Sequence, residues 1–165
     1  MESYFESLQT LQGQEWGADR FQGKVTVVSF TDQKGQEASA KAGSALGKRY
    51  MENEKFQIVT AVKVASMFKG LAATLLKAGQ VKARESAVKR FESEGKTAPA
   101  GLAERIHVVF DIDGACSKHA LEAWKDGQAQ LLVVDESGGV TARSSDKDAL
   151  VAVEALVPEL DRLLA

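Results

Sequence analysis

The residues of this chain that could do chemistry are few, and Cys116 comes first because it is the only cysteine among 165 residues. It follows Asp113 and Gly114 near the start of a short expected helix, where a thiol pKa can be depressed. Lys118 and His119 are the local cations that could assist it, while the nearby acids oppose the effect. Cys116 is therefore the candidate nucleophile of a one-Cys thiol peroxidase or transferase. Its ordinary reading is a small side chain packed on a sheet. Cys116 and His119 could also place two metal ligands on one helical face, but His107 falls on an expected strand and no further soft ligand is evident. No metal and no cofactor is implied. A single cysteine also excludes an internal disulfide, a CxxC pair and a multi-cysteine cage.

The second cluster is Val108-Val-Phe-Asp111-Ile-Asp113-Gly114. A hydrophobic run followed by D-x-D-G resembles the opening of the haloacid-dehalogenase phosphohydrolases. That resemblance implies Asp111 as nucleophile on phosphorus, Asp113 as acid and base, and a bridging Mg²⁺. Against it, only 51 residues follow Gly114, Ala115 stands where threonine is usual, and no lysine motif precedes Asp146 and Asp148. Asp and Gly also belong at a strand-end turn for conformational reasons. Gly43-Ser-Ala-Leu-Gly47-Lys48-Arg49 imitates a phosphate loop, but it has one residue too few between its glycines, lacks the Ser/Thr and lies in a helical pattern.

These residues must be held by regular elements, and the pattern supplies them. Residues 8–24 read as a short hairpin and a turn. Val25–Phe30 and Phe56–Val62 are β-branched runs suited to buried strands, with a helix over Glu37–Asn53 between them. A long helical stretch follows from Met67 to about Glu94, with Gly79 as the point where it could break and a loop over 95–101. Ile106–Phe110 is a third strand, Ala115–Lys125 a short helix, and Leu131–Val134 with Val140–Arg143 a hairpin. Asp146 is the expected cap of a closing helix. In the long stretch, Met67, Leu71, Leu75, Ala78, Val81 and Val88 share one broad face, with Lys69, Lys77 and Arg84 opposite. The ordinary outcome is that the apolar face packs and the basic face is solvated.

The composition, 44% hydrophobic with 14 glycines, suits one folded α/β domain over 1–165 with a core of its own. A net charge of −2 argues against a dedicated nucleic-acid binder. The charge is uneven: residues 63–105 hold nine basic and four acidic groups, and 106–165 hold five and eleven. The N-terminal residues carry acids and no apolar core of a signal peptide, which with the lone thiol points to a cytoplasmic setting.

The order of elements, with three local stretches, resembles the thioredoxin superfamily, in its peroxiredoxin and membrane-tethered thiol–disulfide oxidoreductase branches. Leu8-x-x-Leu11-x-Gly13-x-x-Trp16 leading through Phe21-x-Gly23 into Val25–Phe30 is similar to that group's first hairpin and central strand. Val109-Phe-Asp-x-Asp-Gly114 and Leu131-Leu-Val-Val-Asp135-x-x-Gly138 are similar to its later strand and terminal hairpin. The resemblance implies a three-layer sandwich around a mixed sheet, with a helical insertion at about 66–101. It also shows what is missing. The family's two cysteines would fall at Gly35 and Ala38, and its cis-proline near Ala129.

The expectation is therefore a redox-inactive protein-interaction or scaffold module for assembly of another protein. Its binding residues would be Asp32, Gln33, Lys34, Gly35 and Gln36 in the loop after the first central strand, with Lys69, Lys77 and Arg84 on the long helix. The partner would be another protein, self-association into a homodimer included, and no nucleic acid. Contact with a membrane surface through the basic helix ranks behind these.

Overall fold

A computed structural model describes residues 2–165, so Met1, the first residue of the expected domain, lies outside the described residues. Strands β1 (Leu8–Thr10), β2 (Val25–Thr31), β3 (Phe56–Val64), β4 (Ile106–Ile112), β5 (Ala129–Val134) and β6 (Val140–Asp146) form one sheet in the order β1-β4-β3-β2-β5-β6. The central strands β2, β3 and β4 run parallel, and the others pair antiparallel to their neighbours. Parallel neighbours need crossover connections. Helices α1 (Gln36–Tyr50) and α2 (Lys69–Ser93) provide them. The remaining helices are α3 (Ser117–Ala120), α4 (Ala149–Glu154) and α5 (Val157–Leu163).

Alternation along each strand divides the core into two layers. Val25, Val27, Phe56, Ile58, Leu131 and Val133 face α1, the end of α2, and α4 with α5. Val28, Phe30, Val59, Ala61, Leu132 and Val134 face the N-terminal segment, Trp16, Phe21 and α3. Every residue of β2 is buried, as its β-branched run predicts. The first hairpin is minimal: Thr10 N–H donates to Gln14 C=O at 2.7 Å, and Trp16 N–H to Leu8 C=O at 2.8 Å.

Three local expectations are corrected. The cap of α4 is Asp148, which accepts from Leu150 N–H at 2.9 Å, whereas Asp146 accepts from Asp148 N–H. The closing helix is split in two, with Pro158 in the first turn of α5, where its missing N–H costs nothing. The long helix runs through Gly79 unbroken, since an isolated helical glycine costs only about 1 kcal/mol.

The larger correction is the orientation of α2. Of its 25 residues only Ala87 and Phe91 are buried. Met67, Leu71, Leu75 and Val81, on the face expected to pack, are exposed, and only Val88 of that set rests on the core. The reason lies at the sheet edge. Strand β1 covers only Val109–Asp111 of β4, which leaves the backbone before it open. An open strand edge needs partners. Gln80 Oε1 accepts from Val108 N–H at 2.8 Å, and Arg84 Nε donates to Ile106 C=O at 2.9 Å. Those polar side chains turn inward, so the helical period carries the leucines outward. No helix of the described residues is long and apolar enough to cross a membrane.

Candidate functional site

The loop Thr31–Gly35 leaves the end of β2 and launches α1. Asp32 organises it: Oδ1 accepts from the backbone N–H of Lys34 at 3.0 Å and of Gly35 at 3.1 Å. Asp32 is half-buried and Gly35 buried, while Gln33, Lys34 and Gln36 are exposed. Lys34 reaches across to Asp126, with Nζ 3.5 Å from Oδ2. The other carboxylate oxygen of Asp126 accepts from Trp124 Nε1 at 3.0 Å. Lys63, from the far end of β3, places its ammonium 3.6 Å from the centroid of the Trp124 ring, a close cation–π contact.

A chain of side chains thus runs Lys34–Asp126–Trp124–Lys63 over the ends of the strands. It joins two open clefts. One, of about 440 Å³, is lined by Lys34, Glu37, Lys41, Lys147 and Asp148 among others. The second, of about 310 Å³, holds Lys63, Asp113, Ser117, Lys118 and Trp124. The Lys34–Asp126 pair is exposed and worth little alone. Together these contacts give this end a half-buried indole with charges of both signs, a surface suited to a polypeptide rather than to a small uniform anion.

Gln33, Lys34 and Gln36 accordingly face solvent around this end. The three basic residues expected together on α2 are not brought together. Lys69 Nζ donates to Gln9 Oε1 at 2.5 Å, Arg84 holds the β4 edge, and Lys77 alone stands clear. Lys63, Trp124 and Asp126 were not among the residues singled out from the sequence. The signal that could have found the last two is Trp-x-Asp-Gly immediately before a buried strand.

The alternative catalytic residues are placed unfavourably. Cys116 is wholly buried in the core layer on the sheet face opposite α1. Burial, with the nearby Asp111 carboxylate, pushes its thiol pKa far above the ordinary value. Its expected helpers Lys118 and His119 point to solvent, so the thiol and His119 do not converge on a metal. No cluster of three metal-ligating side chains occurs among the described residues. The phosphohydrolase reading is corrected too. Asp111 is 0% exposed, and its two oxygens accept from Cys116 N–H at 2.8 Å and Ser117 N–H at 3.2 Å. It fastens a turn and cannot reach a substrate. Asp113 is exposed with φ of 52°, and its Oδ1 accepts from Ser66 N–H at 2.9 Å.

No family model and no curated protein matches this chain. Solved structures do. A candidate thiol:disulfide interchange protein DsbE from Chlorobium tepidum superposes with a TM-score of 0.58 at 14% identity, over 96% of this chain and 92% of that one. A thiol-disulfide oxidoreductase from Bacteroides fragilis gives 0.50 at 18% identity, covering 95% of both chains. A secreted Mycobacterium tuberculosis disulfide oxidoreductase homologous to E. coli DsbE gives 0.50 at 15%, over 96% and 99%. The fold is thioredoxin-like.

The thioredoxin-like resemblance places the thiols of redox members at the head of α1, and here those places are held by Gly35, at the end of the loop, and Ala38, in the first turn of α1. Gly35 is enclosed: a Cβ there would lie 2.8 Å from Thr31 Oγ1 and 3.7 Å from the Gln128 carbonyl oxygen. The Gln128 contact also brings the segment before Ala129 against the head of α1, where the thioredoxin-like pattern expects its proline. Ala129 is wholly buried, and no peptide bond among the described residues is cis.

Proposed function

We propose that this thioredoxin-like chain is a redox-inactive protein-binding module, a scaffold for assembly of another protein, which engages its partner at the Lys34–Asp126–Trp124–Lys63 end. The observation that carries the reading is Gly35. The position of a first thiol is occupied by a residue whose Cβ would meet the Thr31 hydroxyl, and the chain's one cysteine is buried elsewhere. A reactive thiol needs access and a lowered pKa. Cys116 has neither. What remains at that end is a recognition surface: an indole held by an ammonium on one side and a carboxylate on the other, with exposed Gln33, Lys34 and Gln36 beside it.

The test is affinity capture from the native host with the intact chain and a Lys34→Glu/Trp124→Ala variant, alongside a thiol assay. The expected result is a partner lost in the variant, and no peroxide- or disulfide-dependent turnover in either wild type or Cys116→Ser. Capture that is equal in both proteins would sink the placement of the surface. A turnover abolished by Cys116→Ser would sink the redox-inactive reading itself.

A further inference from the structure

The 3-10 turn Ser66–Phe68 and the amino-terminal half of α2 that it leads into show an apolar face to solvent with nothing of this chain upon it. Met67 is 81% exposed, Leu71 73% and Leu75 71%, with Phe68 beside them at 55%. At helical spacing, Met67, Leu71, Leu75 and Ala78 form one outward ridge. Along the segment itself the charge has a single sign. From Lys55 to Arg84 the chain has no Asp or Glu; Lys82 stands exposed in line with the ridge and Lys77 exposed on the flank of the helix, and the nearest acids are Asp113, which accepts from Ser66 N–H, and Glu85 just past the segment. Contiguous exposed apolar surface marks an interaction site.

We propose that this half of α2 docks the protein on an anionic lipid surface. Two features select that occupant. The first is charge: the lysines that the helix carries along the ridge are complementary to acidic headgroups, whereas a second copy laid ridge to ridge would set lysines against lysines. The second is shape. The ridge is convex, and neither of the two clefts described above includes a residue of α2. Lipid closes around a convex row of leucine, methionine and phenylalanine without a matching groove. The inward polar contacts of Gln80 and Arg84 hold the helix so that the leucines stay outward. In this arrangement α2 lies in the headgroup plane, with the four large side chains below it and Lys77 and Lys82 at phosphate level. The surface shares no residue with the protein-binding end, which it meets where Asp113 of the second cleft accepts from Ser66 N–H.

The experiment is co-sedimentation of the full chain with vesicles of phosphatidylcholine plus phosphatidylglycerol, against phosphatidylcholine alone. Wild type is expected to bind the anionic vesicles about tenfold or more tightly, and to release as salt rises. Leu71→Gln/Leu75→Gln is expected to weaken binding by about tenfold or more, and Lys77→Gln/Lys82→Gln by about tenfold on anionic vesicles only. A Leu71→Cys variant labelled with an environment-sensitive fluorophore, Cys116 being buried, should report an apolar setting on those vesicles. Wild type that ignores anionic vesicles at low salt overturns the proposal. So does binding untouched by the leucine substitutions, or a dimer in sedimentation equilibrium that those substitutions dissolve while vesicles are ignored. Lys34→Glu/Trp124→Ala should bind vesicles as wild type does, so a failure here and a failure of the protein-binding reading are told apart.

Discussion

Helices α1 and α2 are both crossovers between parallel strands, yet they solve the problem of the sheet in opposite ways. The shorter, α1, puts Ala42, Leu46 and Tyr50 onto the core and its charges outward. The longer, α2, packs by Ala87 and Phe91 at its end, ties down the β4 edge with Gln80 and Arg84, and turns its leucines to solvent. The difference teaches that helical periodicity reveals an apolar face without saying what covers it. In α1 the open sheet beneath demands hydrophobic cover. In the first half of α2 the surface beneath is an unpaired strand edge, which demands hydrogen bonds.

That contrast can be broken experimentally. The largest effects should come where each helix packs. Leu46→Ala in α1 and Phe91→Ala at the end of α2 should each lower unfolding free energy by about 3 kcal/mol in denaturant titration. A loss below about 1 kcal/mol at Phe91 would mean that α2 is held by its edge contacts alone.

Next comes a pH effect beside that edge. His107 on β4 packs against Trp16, with ring centroids 4.8 Å apart. Burial first, then the Arg84 and Arg20 charges, lower its pKa to about 4. Because the folded pKa lies below the unfolded value of about 6.5, the unfolded state binds the extra proton first. The contribution of neutral His107 is therefore present above pH of about 6.5 and is lost as pH falls through about 4. Over that window wild type should lose about 3 kcal/mol more than His107→Gln. Equal slopes in the two proteins would remove His107 from the account.

Smaller effects should follow at the edge contacts themselves. Gln80→Ala and Arg84→Ala should each cost about 1 kcal/mol, by removing the partner of a β4 backbone group. Smallest of all, Leu71→Gln/Leu75→Gln should leave the thermal midpoint unchanged, within about 0.5 kcal/mol per site. A large loss there would mean that the ridge is covered within the chain, and would collapse the contrast between the two helices.

Much of the fold was legible because it rests on local regularities. The β-branched run Val25–Phe30, the Asp135–Gly139 turn and the helical spacing through Ala42 and Leu46 each encode their element in a few residues. The head of α1 was legible as well, since Thr31–Gly35 is polar and lies where the strand must stop. The rest of that end was not. Lys63, Trp124 and Asp126 join Lys34 from separate connections, and no spacing in the chain announces the meeting. Lys69 and Arg84 misled for a related reason: their charge suggested solvent, while Gln9 and the Ile106 carbonyl offered partners that only folding supplies. Asp111 looked like a nucleophile because a carboxylate after a strand is the same residue whether it meets a substrate or two backbone N–H groups.

The sequence by itself determined the element types, the mixed sheet its resemblance implied and the lack of a dithiol, because propensity, alternation and a count of cysteines are properties of short stretches or of the whole composition. Only the tertiary structure decided which groups face water. It closed Gly35 against Thr31, buried Cys116 and Asp111, assembled the Trp124 end, and turned the ridge of α2 outward. The physical reason is that burial and pairing depend on the other side of the contact. For α2 that other side is three residues of strand edge that β1 is too short to cover.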